Sequence, residues 1–168
     1  MNNKGFSLIE LLVVVAIIGI LAAVGIVAYS GYTLSAKINA SKANHKTVVK
    51  FITTNILKCE IGQELILKYS YDLNSKVLTY TNDLCPYVLA GNASHMQGAF
   101  ANHFNSPKWC NPHGLKHASG TCQEAIANGG GVGVGKLGET QIINSGSALT
   151  IDTQVATGEY LSDIINLN

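Results

Sequence analysis

LLVVVAIIGILAAVGIVA, residues 11–28, is a run of 18 residues without a polar side chain. About 20 residues at ~1.5 Å rise each cross the ~30 Å hydrocarbon core of a bilayer, so the run is near the minimum for a spanning helix. A removable secretory signal would also contain such a run, followed by a small-residue cleavage site. Here no A-x-A site with a polar mature start follows Ala28; Tyr29-Ser-Gly-Tyr32 leads on into a helical pattern. More telling is Glu10, at the edge of the run. An acid within a span costs ~2.5–3.5 kcal/mol near its centre on insertion scales, and it calls for a positive partner. If the chain were cut between Gly5 and Phe6, the new α-amino group would lie four residues before Glu10. That is one helical turn. The same amine reaching the Glu10 of a neighbouring molecule would help to set the stagger between adjacent helices.

Beyond Ala28 the apolar residues Leu34, Ile38, Val49, Ile52 and Ile56 keep helical spacing, interleaved with Lys37, Lys42, Lys46 and Lys50. The pattern predicts one helix over 6–58, about 80 Å long at the standard rise. Its first half is apolar all round and suits a bilayer or the interior of a fibre. Its second half is amphipathic and suits packing on a small sheet. Charge follows the same division. The chain has 11 lysines, no arginine and 10 acids, a net of +1. No acid falls between Leu34 and Lys58, whereas the residues from Glu60 onward hold nine acids and five lysines. A basic segment therefore joins a mildly acidic body. Nucleic-acid binding is one reading of that segment; a solvated helix face, or a face complementary to the acidic body, is the commoner outcome.

Lys4-Gly5-Phe6-Ser7-Leu8-Ile9-Glu10-Leu11-Leu12, followed by the apolar helix, resembles the class III signal of type IV pilins and the related pseudopilins. The resemblance covers about the first 30 residues, and Tyr29 and Tyr32 match aromatic positions common in these proteins. It implies cleavage after Gly5 and methylation of the Phe6 amine by a prepilin peptidase, with the apolar segment retained. It also implies storage in the bacterial inner membrane, then polymerisation with other copies into an extracellular filament by an assembly platform served by motor ATPases. Glu10 would be the assembly residue. Val27 stands where many type IV pilins have a helix-kinking proline; Gly19 and Gly25 offer weak points instead, since Gly lowers helix propensity by ~1 kcal/mol.

The expected fold is α+β, a long N-terminal helix packed against a small antiparallel β-sheet, as the resemblance also implies. The expected divisions are a leader at 1–5, the long helix at 6–58 (6–28 as membrane span and filament core), and a globular head at 59–168. Within the head, Glu64 to Tyr71 and Lys76 to Thr81 suggest a hairpin, and Ala93, Met96, Phe100 and Phe104 fall at helical spacing. Residues 105–125 read as an irregular loop. Strands are predicted at 139–144, 148–155 and 160–167, separated by Gly146 and Gly158.

All four cysteines, Cys59, Cys85, Cys110 and Cys122, lie after the apolar segment and none makes a C-x-x-C pair. An even number beyond a membrane-directing segment favours disulfides in an oxidising compartment. Of three connectivities, Cys59–Cys85 with Cys110–Cys122 is expected. It ties the end of the long helix to the residue after the hairpin, and it brackets the loop least able to hold itself by packing. Such short loops are worth ~3 kcal/mol for ~15 residues on the chain-entropy view.

Other motifs weigh less. Gly133 to Gly138 fits G-x-G-x-x-G, and Gly130 to Lys136 nearly fits a P-loop, but Leu137 stands where Ser or Thr is needed and no strand–helix unit surrounds them. A glycine-rich connection is the better reading. His113 and His117, flanked by Cys110 and Cys122, would offer zinc ligands only if the thiols stayed reduced. No nucleophile carries a local catalytic signature, so the chain reads as a structural protein with no cofactor and no metal, not an enzyme. Asn39-Ala-Ser41 and Asn92-Ala-Ser94 fit a glycosylation sequon. The favoured function is a major pilin. The alternatives are a minor pilin or a type II secretion pseudopilin and, less favoured, a membrane-anchored binding module; main-rod pseudopilins usually lack disulfides.

Overall fold

The computed structural model describes Gly5 and residues 7–72, 77–106, 109–117, 119–129 and 135–167. Two compact units divide the chain, Met1–Ala36 and Lys37–Asn168, and one helix, α1 (Leu8–Glu60), runs through both. The helix is unbroken at Gly19, Gly25 and Val27. At its end the backbone N–H of Gln63 donates to the Lys58 carbonyl (2.9 Å), and Gly62 takes a positive φ of 76°. An L side chain resists that conformation, which is why a glycine stops the helix here.

In the second unit, α1 is followed by β1 (Lys68–Asp72), β2 (Val77–Tyr80), α2 (Cys85–Leu89), α3 (Ala93–Phe104), β3 (Ile126–Asn128), β4 (Thr140–Ser145), β5 (Ala148–Ala156) and β6 (Glu159–Asn166). β1 and β2 form a separate antiparallel hairpin, and the larger sheet has the order β3-β4-β5-β6. The expected α+β arrangement is present, consistent with a pilin fold. The sheet is mixed rather than purely antiparallel, because β3 lies parallel to β4. The first strand is also shorter than its sequence suggests, with Glu64 to Leu67 outside it. There the chain bonds to side chains: Leu65 N–H donates to Asp83 Oδ1 (2.9 Å) and Leu67 N–H to Thr81 Oγ1 (2.9 Å). Between β1 and β2 of the expected hairpin, Leu73 to Lys76 lie outside the described residues, as do the glycines from Gly130 to Gly133.

Strands β4, β5 and β6 are joined by two-residue connections, Gly146-Ser147 and Thr157-Gly158, whose glycines hold φ near 70° and 78°. Positive φ lets such tight turns match the twist of their strands. Leu149 and Ile151 on β5 and Ile142 on β4 are fully buried. They share a core with Val48 and Ile52 of α1 and Met96 and Phe100 of α3. Fully burying one such side chain is worth roughly 1.5–3 kcal/mol.

The buried stripe of α1 is Ser41, His45, Val48, Ile52, Asn55, Ile56 and Cys59. Leu34 lies off it, and Val49 is only partly buried. Ser41 and Asn55 donate to carbonyls of the helix itself, Lys37 and Phe51, whereas His45 reaches the sheet. His45 Nδ1 is 2.9 Å from Thr153 Oγ1, Nε2 is 2.7 Å from Asp163 Oδ2, and the Thr153 hydroxyl donates to Thr140 Oγ1 (2.7 Å). Lys42 Nζ adds an exposed contact of 3.1 Å to Glu159 Oε1. That surface pair contributes about 0–1 kcal/mol. Losing His45 would remove two of these bonds, leaving the buried Thr153 hydroxyl with Thr140 alone and the half-exposed Asp163 to water.

Two disulfides close the unit. Cys59–Cys85 joins the end of α1 to the start of α2 (Cα–Cα 5.2 Å), and Cys110–Cys122 braces the irregular segment before β3 (Cα–Cα 5.5 Å). This is the nearest-neighbour connectivity. Gly138, just before β4, has φ of 80°, and a Cβ there would stand 2.6 Å from Asn111 Oδ1. Only glycine fits without displacing the loop.

On α3, His103 lies over Phe51 of α1, ring centroids 4.5 Å apart, and its Nδ1 accepts the Lys68 backbone N–H (3.0 Å). Burial, aided by the Lys68 charge, pushes its pKa down from 6.5 to about 4. Burial likewise lowers His113, with Lys37 adding to the effect. A depressed imidazole is neutral in the fold while the unfolded chain accepts its proton, so stability is whole above pH 6.5 and is lost as pH falls towards about 4. Melting of the detergent-solubilised chain should therefore shift downward between pH 6.5 and 4. The variant His103→Phe, which keeps the stack but cannot titrate, should show a shallower fall. Identical pH slopes in the two proteins would contradict this placement of His103.

Candidate functional site

The first turn of α1 builds the site the sequence points to. Ser7 immediately precedes the helix and Glu10 is its third residue. The Ser7 hydroxyl and backbone N–H both donate to Glu10 Oε2 (2.8 and 2.9 Å), and the Glu10 backbone N–H donates to Ser7 Oγ (3.3 Å). This is a reciprocal capping box, which satisfies backbone donors that helix geometry otherwise leaves unpaired. A carboxylate in the first turn also suits the positive end of the helix dipole. Reading Glu10 only as a partner for an α-amino group misses this second use. The signal was present as Ser7-x-x-Glu10 ahead of an apolar run. Gly5 is exposed, with open space around the position a Cβ would take. Lys4 and Phe6 lie outside the described residues, so the geometry of the Gly5–Phe6 junction is not defined.

Above the cap, as far as Val27, the helix buries none of its large hydrophobic residues among the described residues. The large hydrophobic residues from Leu8 to Val27 are 47–82% exposed, and none of the most apolar 18-residue window is buried. Contiguous apolar surface on a stable soluble monomer rarely exceeds a few hundred Å². Each aliphatic side chain here forgoes about 1.5–3 kcal/mol while it faces water. The helix is long and apolar enough to cross a membrane. Its chemistry is therefore that of a surface awaiting lipid or other apolar helices.

The remaining candidates have structural employment. Cys110 and Cys122 hold each other, so their sulfurs are not available as thiolate ligands, and His117 Nε2 lies 3.1 Å from Glu124 Oε2. Among the described residues no group of three His, Cys, Asp or Glu could hold a metal. Thr153, His45 and Asp163 line up like nucleophile, base and acid, but Thr153 is fully buried and its hydroxyl is engaged with Thr140. No substrate reaches it. Of the sequons, Asn92 caps α3 by accepting the His95 N–H (3.0 Å), while the Ser41 of the other is buried and donates to the Lys37 carbonyl (3.0 Å).

Residues 1–26 match the family described as the prokaryotic N-terminal methylation motif. Over 37 residues the chain is 58% identical to a type IV major pilin protein PilE1 of Neisseria gonorrhoeae. It is equally identical, over the same length, to a fimbrial protein of Neisseria meningitidis serogroup B. In each case the match covers 22% of this chain and 22% of the relative, so the likeness spans about a fifth of either protein. No solved structure matches the chain. Together with the capped apolar helix, these likenesses show that residues 1–26 carry the prokaryotic N-terminal methylation motif and that the N-terminal segment is similar to that of type IV major pilins.

Proposed function

We propose that the chain is the major structural subunit of an extracellular type IV pilus, held in the bacterial inner membrane until it is polymerised. The observation that carries this reading is the apolar surface of α1 from Leu8 to Val27, whose large hydrophobic residues are all 47% exposed or more. A bilayer covers it before assembly, and the same segment of other copies covers it afterwards. Because lipid is as apolar as the helix, close packing and polar pairs decide association rather than the hydrophobic effect. On this reading residues 1–5 are the leader, 6–28 form the membrane span and later the filament core, and 59–168 form the exposed head. The partners are other copies of the chain, a prepilin peptidase and an assembly platform.

Glu10 serves twice in this scheme. In the uncut precursor it caps the helix with Ser7. After cleavage the Phe6 amine supplies a charge to the same carboxylate, in its own molecule or in a neighbour, and the pair sets the register between helices. Buried polar pairs are best attested in such register roles.

Cleavage is tested by intact-mass and N-terminal analysis of sheared surface filaments. The subunit should begin at N-methylated Phe6. A start at Met1, or one beyond Ala28, would overturn the proposal.

The register role separates from the cap through two variants. Glu10→Gln retains an acceptor for Ser7 but loses the charge; Glu10→Val loses both. Both should insert in the membrane at least as well as the parent, since an ionised acid near a span centre costs ~2.5–3.5 kcal/mol. Pilus numbers by electron microscopy should collapse in both. Normal piliation of the Glu10→Gln strain would leave the cap, not the charge pair, as the function of Glu10.

A further inference from the structure

The hairpin β1–β2 carries an irregularity at an informative place. Lys68 pairs with Tyr80 and Ser70 with Thr79, so Tyr69 is an extra residue in the ladder. Such a bulge bends its strand and re-aims a side chain. Tyr69 is 58% exposed and lines two neighbouring clefts, of about 560 and 260 Å³, which share Thr81 and His95. The larger also takes in Tyr80 (60% exposed), Tyr87, Asn82 and Asp83. Tyr87 and His95 stack with centroids 3.9 Å apart and planes 12° from parallel, giving the cleft one flat wall.

Polar groups beside this wall are held rigidly. Asp83 Oδ1 accepts the backbone N–H groups of Leu65 (2.9 Å) and Cys85 (3.0 Å), and Cys85 is itself fixed to α1 by its disulfide. The smaller cleft adds Ser94 and Asn102 from α3. Small-molecule sites commonly combine aromatic walls with a few placed polar groups in roughly 300–1,000 Å³. None of these residues belongs to the apolar span, and the core uses none of the tyrosine faces.

The composition narrows the ligand. No described lysine lines either cleft and a carboxylate does; His95 is the one described lining group that could carry positive charge, so an anion would find little counter-charge. A wholly apolar ligand would strip water from Asp83 and Asn82 without replacing their hydrogen bonds, which is costly. A ligand with a flat C–H face and a rim of hydroxyls meets both requirements. We propose that this cleft binds a neutral saccharide, with Tyr69 and Tyr80 as stacking platforms and Asn82 and Asp83 hydrogen-bonding its hydroxyls. The assignment is independent of the filament reading, because it concerns only residues of the second unit.

Saturation-transfer NMR and calorimetry on the full chain in a phosphocholine detergent, free of sugar headgroups, provide the test. The neutral probes are N-acetyllactosamine, cellobiose and maltose; a heparin disaccharide and a decaproline peptide serve as controls, since tyrosine-lined grooves also take polyproline segments. At least one neutral disaccharide should bind with a Kd of roughly 0.1–1 mM, and Tyr69→Ala and Tyr80→Ala should each weaken it about tenfold or more. Tyr69→Phe, which keeps the ring, should bind like the parent. So should Tyr160→Ala, which removes an exposed tyrosine on β6. Three results would overturn the assignment: no neutral sugar bound up to roughly 20 mM, unchanged binding in both alanine variants, or binding of the heparin or proline probe alone.

Discussion

Along the first five turns or so of α1, side chains that ordinarily fill a protein core stand in the open. From Leu8 to Val27 no large hydrophobic residue is less than 47% exposed. Water cannot be their permanent surroundings, because the free energy forgone by so many aliphatic groups exceeds the few kcal/mol by which a domain is ordinarily stable. Everything else in the chain is arranged around that constraint. The cap at Ser7 and Glu10 pairs two of the backbone donors that the start of this helix would otherwise leave open. Beyond Lys37 the same helix changes character and contributes one stripe to a conventional core.

The second unit supplies order through several unlike devices. Apolar packing of Val48, Ile52, Met96, Phe100, Leu149 and Ile151 provides the bulk of it. His45 then links the helix to both β5 and β6, through Thr153 and Asp163. A polar chain of this kind fixes how a helix sits on a sheet more narrowly than interchangeable aliphatic contacts do, since each group must find its partner. The disulfides act where packing is thinnest, at the end of α1 and across the irregular segment from Trp109 to Gln123. The tyrosine-lined cleft borders the first of these two staples.

Much of this was legible in the residues. The apolar run, the helix spacing and the glycines at 146 and 158 announced α1 and the β4–β6 meander, because their signals are local and periodic. The disulfide pairing followed from where the cysteines lie, at the end of the helix, after the hairpin and on either side of the irregular loop. Three features were not legible, for physical reasons. β3 has three residues and is held by parallel pairing with a distant strand, so no local pattern marks it. α2 is a five-residue turn that begins at Cys85 and Pro86. The buried stripe of α1 includes Ser41 and His45, which a count of apolar positions passes over and which shifted the expected face towards Leu34 and Val49. At the candidate site Glu10 was legible as an exceptional acid, yet its partnership with Ser7 needed the capping pattern to be read as well.

The central claim is that the uncovered span of α1 is completed by other copies of the same segment. A photo-crosslinking side chain placed at Val14 or Leu21, both exposed in the isolated chain, tests it inside intact surface filaments. Irradiation should yield ladders of subunit multimers whose cross-linked peptides come from residues 8–28 of two copies. Filaments that yield no such self-linked peptides, or that link this segment to a different protein, would contradict the account.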